Sequence, residues 1–328
     1  MTRFTQVKAI ALAGLLVCAS ACEQTSASKD DKAAPRGPQQ TKRNDAEARR
    51  SDGYGPPSRV GILSHKEIIE SSGLVASRTA PGLYWTHNDS GDGPFLYAFD
   101  ARGLHKGVWR VTGATARDWE DVAAGPGPAS GTNYLYIGDI GDNRMARAEV
   151  RVYRVPEPVI RPEDAGSTKA SPIATRDLET IRLRYPDGSH DAEALLVHPS
   201  NGSIYVVTKV PLGNPTIYEA RAPLSTVATN TMVRVGEISV PGFFGGLITG
   251  GDISRDGLRV ALCDYAQGYE LVLTDTRVPF NNIWKQPLKS IGLGERKQGE
   301  AIGYRLDGRA LLTTSEGKRA PLIQVVRK

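Results

Sequence analysis

The chain has 328 residues, carries 41 Lys and Arg against 36 Asp and Glu for a formal charge of +5, and is 40% hydrophobic. These figures exclude a fully disordered chain and a multi-span membrane protein, and they allow one large or two ordinary domains. Three Cys exclude a disulfide framework, and because residues 1–57 hold nine of the basic and six of the acidic residues, the nearly neutral remainder does not point to nucleic acid.

The N-terminus reads as an address. Arg3 and Lys8 precede an apolar stretch from Ala9 to Val17, followed by Cys18-Ala19-Ser20-Ala21-Cys22. A basic start, an apolar run too short to span a bilayer and small residues after it make residues 1–21 a secretory signal peptide. The small residues ahead of Cys22 resemble a bacterial lipobox. That resemblance implies cleavage before Cys22 and a lipid on its thiol, anchoring the chain to a membrane, and Glu23 after it implies the outer membrane. Plain cleavage after Ala21, giving a secreted protein, is the other reading. Residues 22–57 are rich in Ser, Lys, Asp, Pro and Gln with almost no large apolar residues, so they read as a disordered tether.

From Arg59 onward short apolar runs alternate with Gly, Pro, Asp and Asn, and helical periodicity is absent. Five segments share one layout, and residues 58–328 therefore read as one domain built from repeats. Each opens with a polar or acidic start to an apolar strand: Glu70 to Val75, Asp118 to Ala123, Asp191 to Leu196, Gly250 to Ile253 and Gly299 to Ile302. A second strand follows each start: Leu83–Thr86, Tyr134–Ile137, Ile204–Val207, Arg259–Leu262 and Ala310–Thr313. The turns Ser200-Asn201-Gly202, Asp256-Gly257 and Asp307-Gly308 are hairpin signals. Third strands return at Phe95, Val150, Thr216, Glu270 and Pro321, and fourth strands at Val108, Ile181 and Val233. Such a repeat predicts an all-β protein, a β-propeller. Five blades are favoured; six remain open, because the interval between Asp121 and Asp191 is long, although Arg161 to Asp177 reads as an inserted loop. The last repeat lacks a fourth strand, and Arg59 to Leu63 is an orphan that would close the ring by pairing with it. A pair of β-sandwiches would not predict the recurring acidic start.

In a propeller the first strands line the axis, and their starts share one mouth with the loops between second and third strands. These loops are polar: His87-Asn88-Asp89-Ser90-Gly91-Asp92, then Gly138-Asp139-Ile140-Gly141-Asp142-Asn143, then loops carrying Lys209, Asp264 with Tyr265, and Ser315 with Glu316. Candidate metal ligands are Asp89, Asp118, Glu120, Asp121, Asp139, Asp142, Asp191, Glu193, Asp252 and Glu300. Oxygen-only donors suit Ca²⁺ rather than zinc or copper. Glu193, Glu300, Lys209 and His87 are the catalytic candidates. Each has a structural reading too: Asp and Asn cap turns, Lys209 can be a counter-charge to the acids rather than a phosphate contact, and His87 can belong to a turn. Cys263, in the apolar run Val260 to Leu262, reads as a buried thiol. Zinc spacings, Gly-x-Ser-x-Gly, phosphate-cradling glycine motifs and basic aromatic stripes are all missing from the sequence.

The segments DAEALLV at Asp191–Val197, GEAIGY at Gly299–Tyr304, HNDSGD, DWEDVA and DIGDN together resemble the phytase-like β-propellers, secreted or lipid-anchored bacterial proteins. The resemblance implies calcium bound by Glu193, Glu300, Asp118, Glu120, Asp121, Asp89, Asp139 and Asp142, with Lys209 on a phosphate and a metal-activated water hydrolysing a phosphoester. Few Lys or Arg stand in the mouth loops besides Lys209, which departs from what the highly charged phytate would need. Two functions follow: a phosphoester or related ester hydrolase, or a non-catalytic propeller binding a small-molecule or envelope ligand at its mouth. Either would act as a monomer.

Overall fold

Each first strand is apolar on both sides, so each must pack between two layers, and a ring of radially arranged sheets satisfies this. In the computed structural model, which describes residues 53–241 and 245–328, five antiparallel sheets are arranged as the blades of a β-propeller. The innermost strands, in chain order, are Ser71–Ala76, Trp119–Pro126, Ala192–Val197, Gly250–Ile253 and Gly299–Tyr304. Each packs against the next, and the fifth packs against the first. The expected signal peptide over 1–21, the expected lipidation at Cys22 and the expected tether up to Asp52 fall outside the described residues.

Five apolar cores fill the five spaces between neighbouring blades. The strand Ala192–Val197 shows how a period of two serves both neighbours. Ala194 and Leu196 pack towards the fourth blade, while Leu195 and Val197 pack towards the second. Cys263 is part of the core between the fourth and fifth blades, and burial pushes its thiol up to about 12. Tight turns join first to second strands, and Gly257 and Gly308 adopt φ of +71° and +67°, values that an L side chain resists.

The orphan strand closes the ring. Ser58–Ile62 pairs antiparallel with Pro321–Val326, completing the last blade as its outermost strand. The propeller takes in residues ahead of it. Tyr54 is buried, and its hydroxyl donates to Glu270 Oε1 at 2.6 Å.

The links between third and fourth strands lean back on the preceding blade. Within Arg161–Asp177 a 3-10 turn, Pro162–Gly166, leads to Ile173–Ala174, which pairs in parallel with the outer strand His105–Arg110 of the first blade. Asn230–Thr231 covers Glu179–Arg184 of the second blade in the same way. Phe280–Lys285 packs against the outer strand Val233–Glu237 of the third, with Trp284 held over Gly236. Open sheet edges are thereby covered. The fourth blade's outer strand, Lys289–Ile291, is the one the repeat did not reveal.

Candidate functional site

Three of the five inner strands carry a glutamate at the same structural position. In each, the register with the second strand slips by one residue: from Trp119 to Asp121, from Ala192 to Ala194, and from Gly299 to Ala301. The residues left out of the pairing are Glu120, Glu193 and Glu300. A bulge of this kind kinks the strand and redirects the extra side chain. All three are buried, with 3%, 5% and 4% of their surface exposed. The first blade has its slip between Ser72 and Val75 and offers no acid there, while the fourth blade runs Gly250-Gly251 in unbroken register.

Asp89, from the loop after the first blade's second strand, and Asp118, just ahead of the second blade's inner strand, complete the cluster. Carboxylate oxygens of Asp89, Asp118 and Glu120 lie within 4.8 Å of one another. Burial raises Glu120 well above the ordinary carboxylate range, and repulsion from Glu193, Asp89, Asp118 and Glu300 raises it further. Burial and the nearby Glu193 likewise hold Glu300 well above it, against a 2.7 Å hydrogen bond donated by Gln298 to its Oε1.

Lys209 faces these acids. The Lys209 ammonium forms an ion pair with Glu193 Oε1 and stands 5.2 Å from the centre of the Tyr265 ring. Burial still lifts Glu193 to about 7, with Lys209 pulling the other way. Glu193 Oε2 is buried and has no hydrogen-bond partner among the described residues. Gly141 makes room for the group: a Cβ there would stand 2.1 Å from Glu120 Oε1 and 2.6 Å from Asp118 Oδ2.

The remaining candidates fall elsewhere. Asp121 is fully buried, and its oxygens accept backbone N–H groups of Val122, Leu195 and Gly251 at 2.8, 3.0 and 3.2 Å, tying three inner strands together. Arg147, 6% exposed, pairs with Asp139 at 2.8 Å and donates to the Gly141 carbonyl at 2.8 Å. Asp142 Oδ2 accepts the Arg147 N–H at 2.7 Å, and the Asp142 N–H donates to Asp191 Oδ1 at 2.8 Å. These three aspartates therefore buttress the loop that carries Gly141. Asp264 caps its own turn through the N–H groups of Ala266 and Gln267. Asp252 lies at the far end of the channel, where it accepts the Tyr304 N–H at 2.9 Å. His87 is wholly buried, with Nδ1 2.8 Å from the Asn88 carbonyl, its ring edge-on to Trp119 and Nε2 unpartnered. Burial lowers its pKa.

Asp89, Asp118, Glu120, Glu193, Glu300 and Lys209 are thus brought together at one mouth. Gly141 and Gln298 are contributors that residue type alone did not single out. The donor set is oxygen-only, crowded and includes a buried orphan oxygen, which fits a hard divalent cation.

A comparison with protein-family models finds no match, and neither does one with curated protein sequences. Among solved structures the chain is similar to the WD40 repeats of RRP9, at 10% identity over 79% of this chain and 67% of that one, with a TM-score of 0.39. It is similar also to U3-55K, at 10% identity over 78% and 67%, with a TM-score of 0.37.

Proposed function

We propose that this protein is an exported, lipid-anchored propeller whose acidic mouth holds Ca²⁺ and, with the ion in place, hydrolyses a small phosphoester or related anionic ester. The observation that carries this reading is the convergence of Glu120, Glu193 and Glu300 from three bulges onto Asp89 and Asp118. Carboxylates crowded and buried in this way are costly unless a cation, protons or basic partners compensate them, and Lys209 is paired with Glu193 alone. Glu120, Asp118 and Asp89 would hold the ion, with Glu193 and Glu300 across the mouth. When bound, Ca²⁺ supplies a Lewis acid and positive charge for an anionic ester. Glu193, lifted to about 7, can take up or release a proton near neutral pH, as a general acid or base must. Lys209 keeps that carboxylate oriented through its ion pair, and Tyr265 braces the ammonium.

A second reading, a non-catalytic calcium-loaded binding platform, draws on the commitment of Lys209 to Glu193, which leaves it less able to grip a substrate phosphate. The test is a thermal melt of the mature chain with Ca²⁺ and with chelator, beside an assay on a generic phosphate monoester. Calcium stabilisation and turnover, both lost in a Glu193→Ala/Glu300→Ala double variant, support the hydrolase. Stabilisation without turnover supports the platform, and indifference to Ca²⁺ and chelator removes both. Anchoring is tested separately: Cys22→Ala should move the protein from the membrane fraction to the soluble one.

A further inference from the structure

The other end of the channel has the opposite character. An arginine follows shortly after the inner strand of three blades: Arg78 after Ser71–Ala76, Arg255 after Gly250–Ile253 and Arg305 after Gly299–Tyr304. All three line one recess at the channel's far opening, together with Asp252 and Tyr304. Its inner space is about 20 Å³, room for a group of one or two water-sized atoms. Arg255 and Arg305 also line an adjoining outer cavity of about 320 Å³, walled by Pro81, Tyr84 and Leu306, with Asp307 as its one carboxylate.

These arginines are poorly compensated. Among the described residues neither Arg78 nor Arg255 has a carboxylate within ion-pair distance, and the two repel one another. Arg78 is half-buried, and its backbone N–H, rather than its guanidinium, meets the Glu157 carboxylate. Arg305 is held by an exposed pair with Asp307 at 3.0 Å. Asp252 inside the recess, Asp307 at its rim and Glu157 behind Arg78 are the carboxylates that offset the three cations. Guanidinium groups are planar forks that match carboxylate and phosphate oxygens, and they tolerate partial burial better than an ammonium does.

We propose that this opening is a binding site for a small organic oxyanion, a carboxylate or phosphate, one or two of whose charged oxygens reach into the recess between Arg78, Arg255 and Arg305. The carbon skeleton then occupies the outer cavity against Tyr84 and Leu306. The site is independent of the cation site at the opposite mouth and needs no metal.

The test is calorimetric titration of the full chain with inorganic phosphate and, separately, with succinate, in chelator and about 0.15 M NaCl, where weak surface attraction is screened. Saturable binding of either ion is expected, and the tighter of the two identifies the headgroup. Arg255→Gln and Arg78→Gln should each weaken it about tenfold or more, the size of one lost charge-assisted contact. Arg255 is exposed, so its variant keeps the test valid even where Arg78→Gln fails to fold. Both folded variants should retain the wild-type response to Ca²⁺. Absence of saturable binding of both ions, wild-type binding by Arg255→Gln, or binding that appears only once Ca²⁺ is added would each overturn the proposal.

Discussion

Gly141→Ala separates the proposed cation site from the fold that carries it. A Cβ at this position would lie 2.1 Å from Glu120 Oε1 and 2.6 Å from Asp118 Oδ2. Ordinary non-bonded contact begins near 3.5 Å, so Glu120 must retreat by about 1.4 Å. Metal–ligand distances tolerate only about 0.2 Å, so a carboxylate displaced that far no longer fits the same coordination sphere. The backbone does not resist the change, because Gly141 has no positive φ, and the obstructing atoms are the free ends of side chains. Replacing Gly by Ala at a compatible position even stabilises by about 0.4–1 kcal/mol, through the unfolded chain. The chelated variant should therefore melt at or slightly above the wild-type temperature while its Ca²⁺ affinity, measured by calorimetry, falls about 10- to 100-fold. That loss corresponds to roughly 1.4–2.8 kcal/mol. A folded variant with wild-type affinity would refute the placement of the ion among Asp118 and Glu120. Loss of the fold along with the affinity would show that Gly141 serves the loop and not the site.

Arg147→Met leaves Asp139 buried without its cation and frees the Gly141 carbonyl; breaking such a pair costs about 3–5 kcal/mol in a denaturant titration, and a small change would show the pair to be dispensable. Removal of residues 1–63 strips Ser58–Ile62 from the last blade and exposes the edge of Pro321–Val326; size-exclusion chromatography should show association or aggregation, whereas removal of residues 1–52 should leave a monomer. In chelator, burial lifts Glu193 from 4.5 to about 7, so across that interval the folded chain keeps a proton that the unfolded chain has released. The associated stability is full below pH 4.5 and is lost as pH rises to 7, by about 3 kcal/mol for this one group. Buried His87 and half-buried His105 have lowered pKa values and act in the opposite sense. The stabilisation by Ca²⁺ should accordingly grow with pH over this interval, and an increment that stays flat would contradict the buried glutamate.

The blades were legible in the sequence for a simple reason. An inner strand packs a core on each side, so it appears as an unbroken apolar run, as in Ala194-Leu195-Leu196-Val197. Asn201-Gly202, Asp256-Gly257 and Asp307-Gly308 mark where the run reverses in the last three blades. Lys289–Ile291 escaped because three residues with one buried apolar side chain leave no pattern. The strap Ile173–Ala174 escaped because its partner lies in another blade. At the mouth, a charge at the start of an apolar strand was visible for Glu120, Glu193 and Glu300, but the bulges that turn them together were not, since register belongs to the pair of strands and not to either one. The aspartates were harder still. Asp89 and Asp139 occupy similar Gly- and Asn-rich loops, yet Arg147 claims Asp139 and leaves Asp89 in the cluster. Ion pairing across a folded loop has no sequence period. Each arginine of the far opening stands singly in the chain, so only the ring assembles a cluster from them.

A propeller turns position along a strand into position along an axis. Its five inner strands run the same way, so residues at their starts meet at one mouth and residues after their ends meet at the other. Acids at the starts of three blades and arginines beyond the ends of three blades are unremarkable in a chain whose folded part is nearly neutral. Stacked around the axis, they become a buried negative cluster and a positive recess, separated by Asp121, whose carboxylate is occupied by three backbone N–H groups. Neither end is favourable for folding, because like charges are crowded and partly desolvated at both. The five apolar cores between blades bear that cost. In a fold that maintains two such unfavourable ends, the proposed ligands of opposite charge, a divalent cation at one mouth and an oxyanion at the other, would add stability on binding.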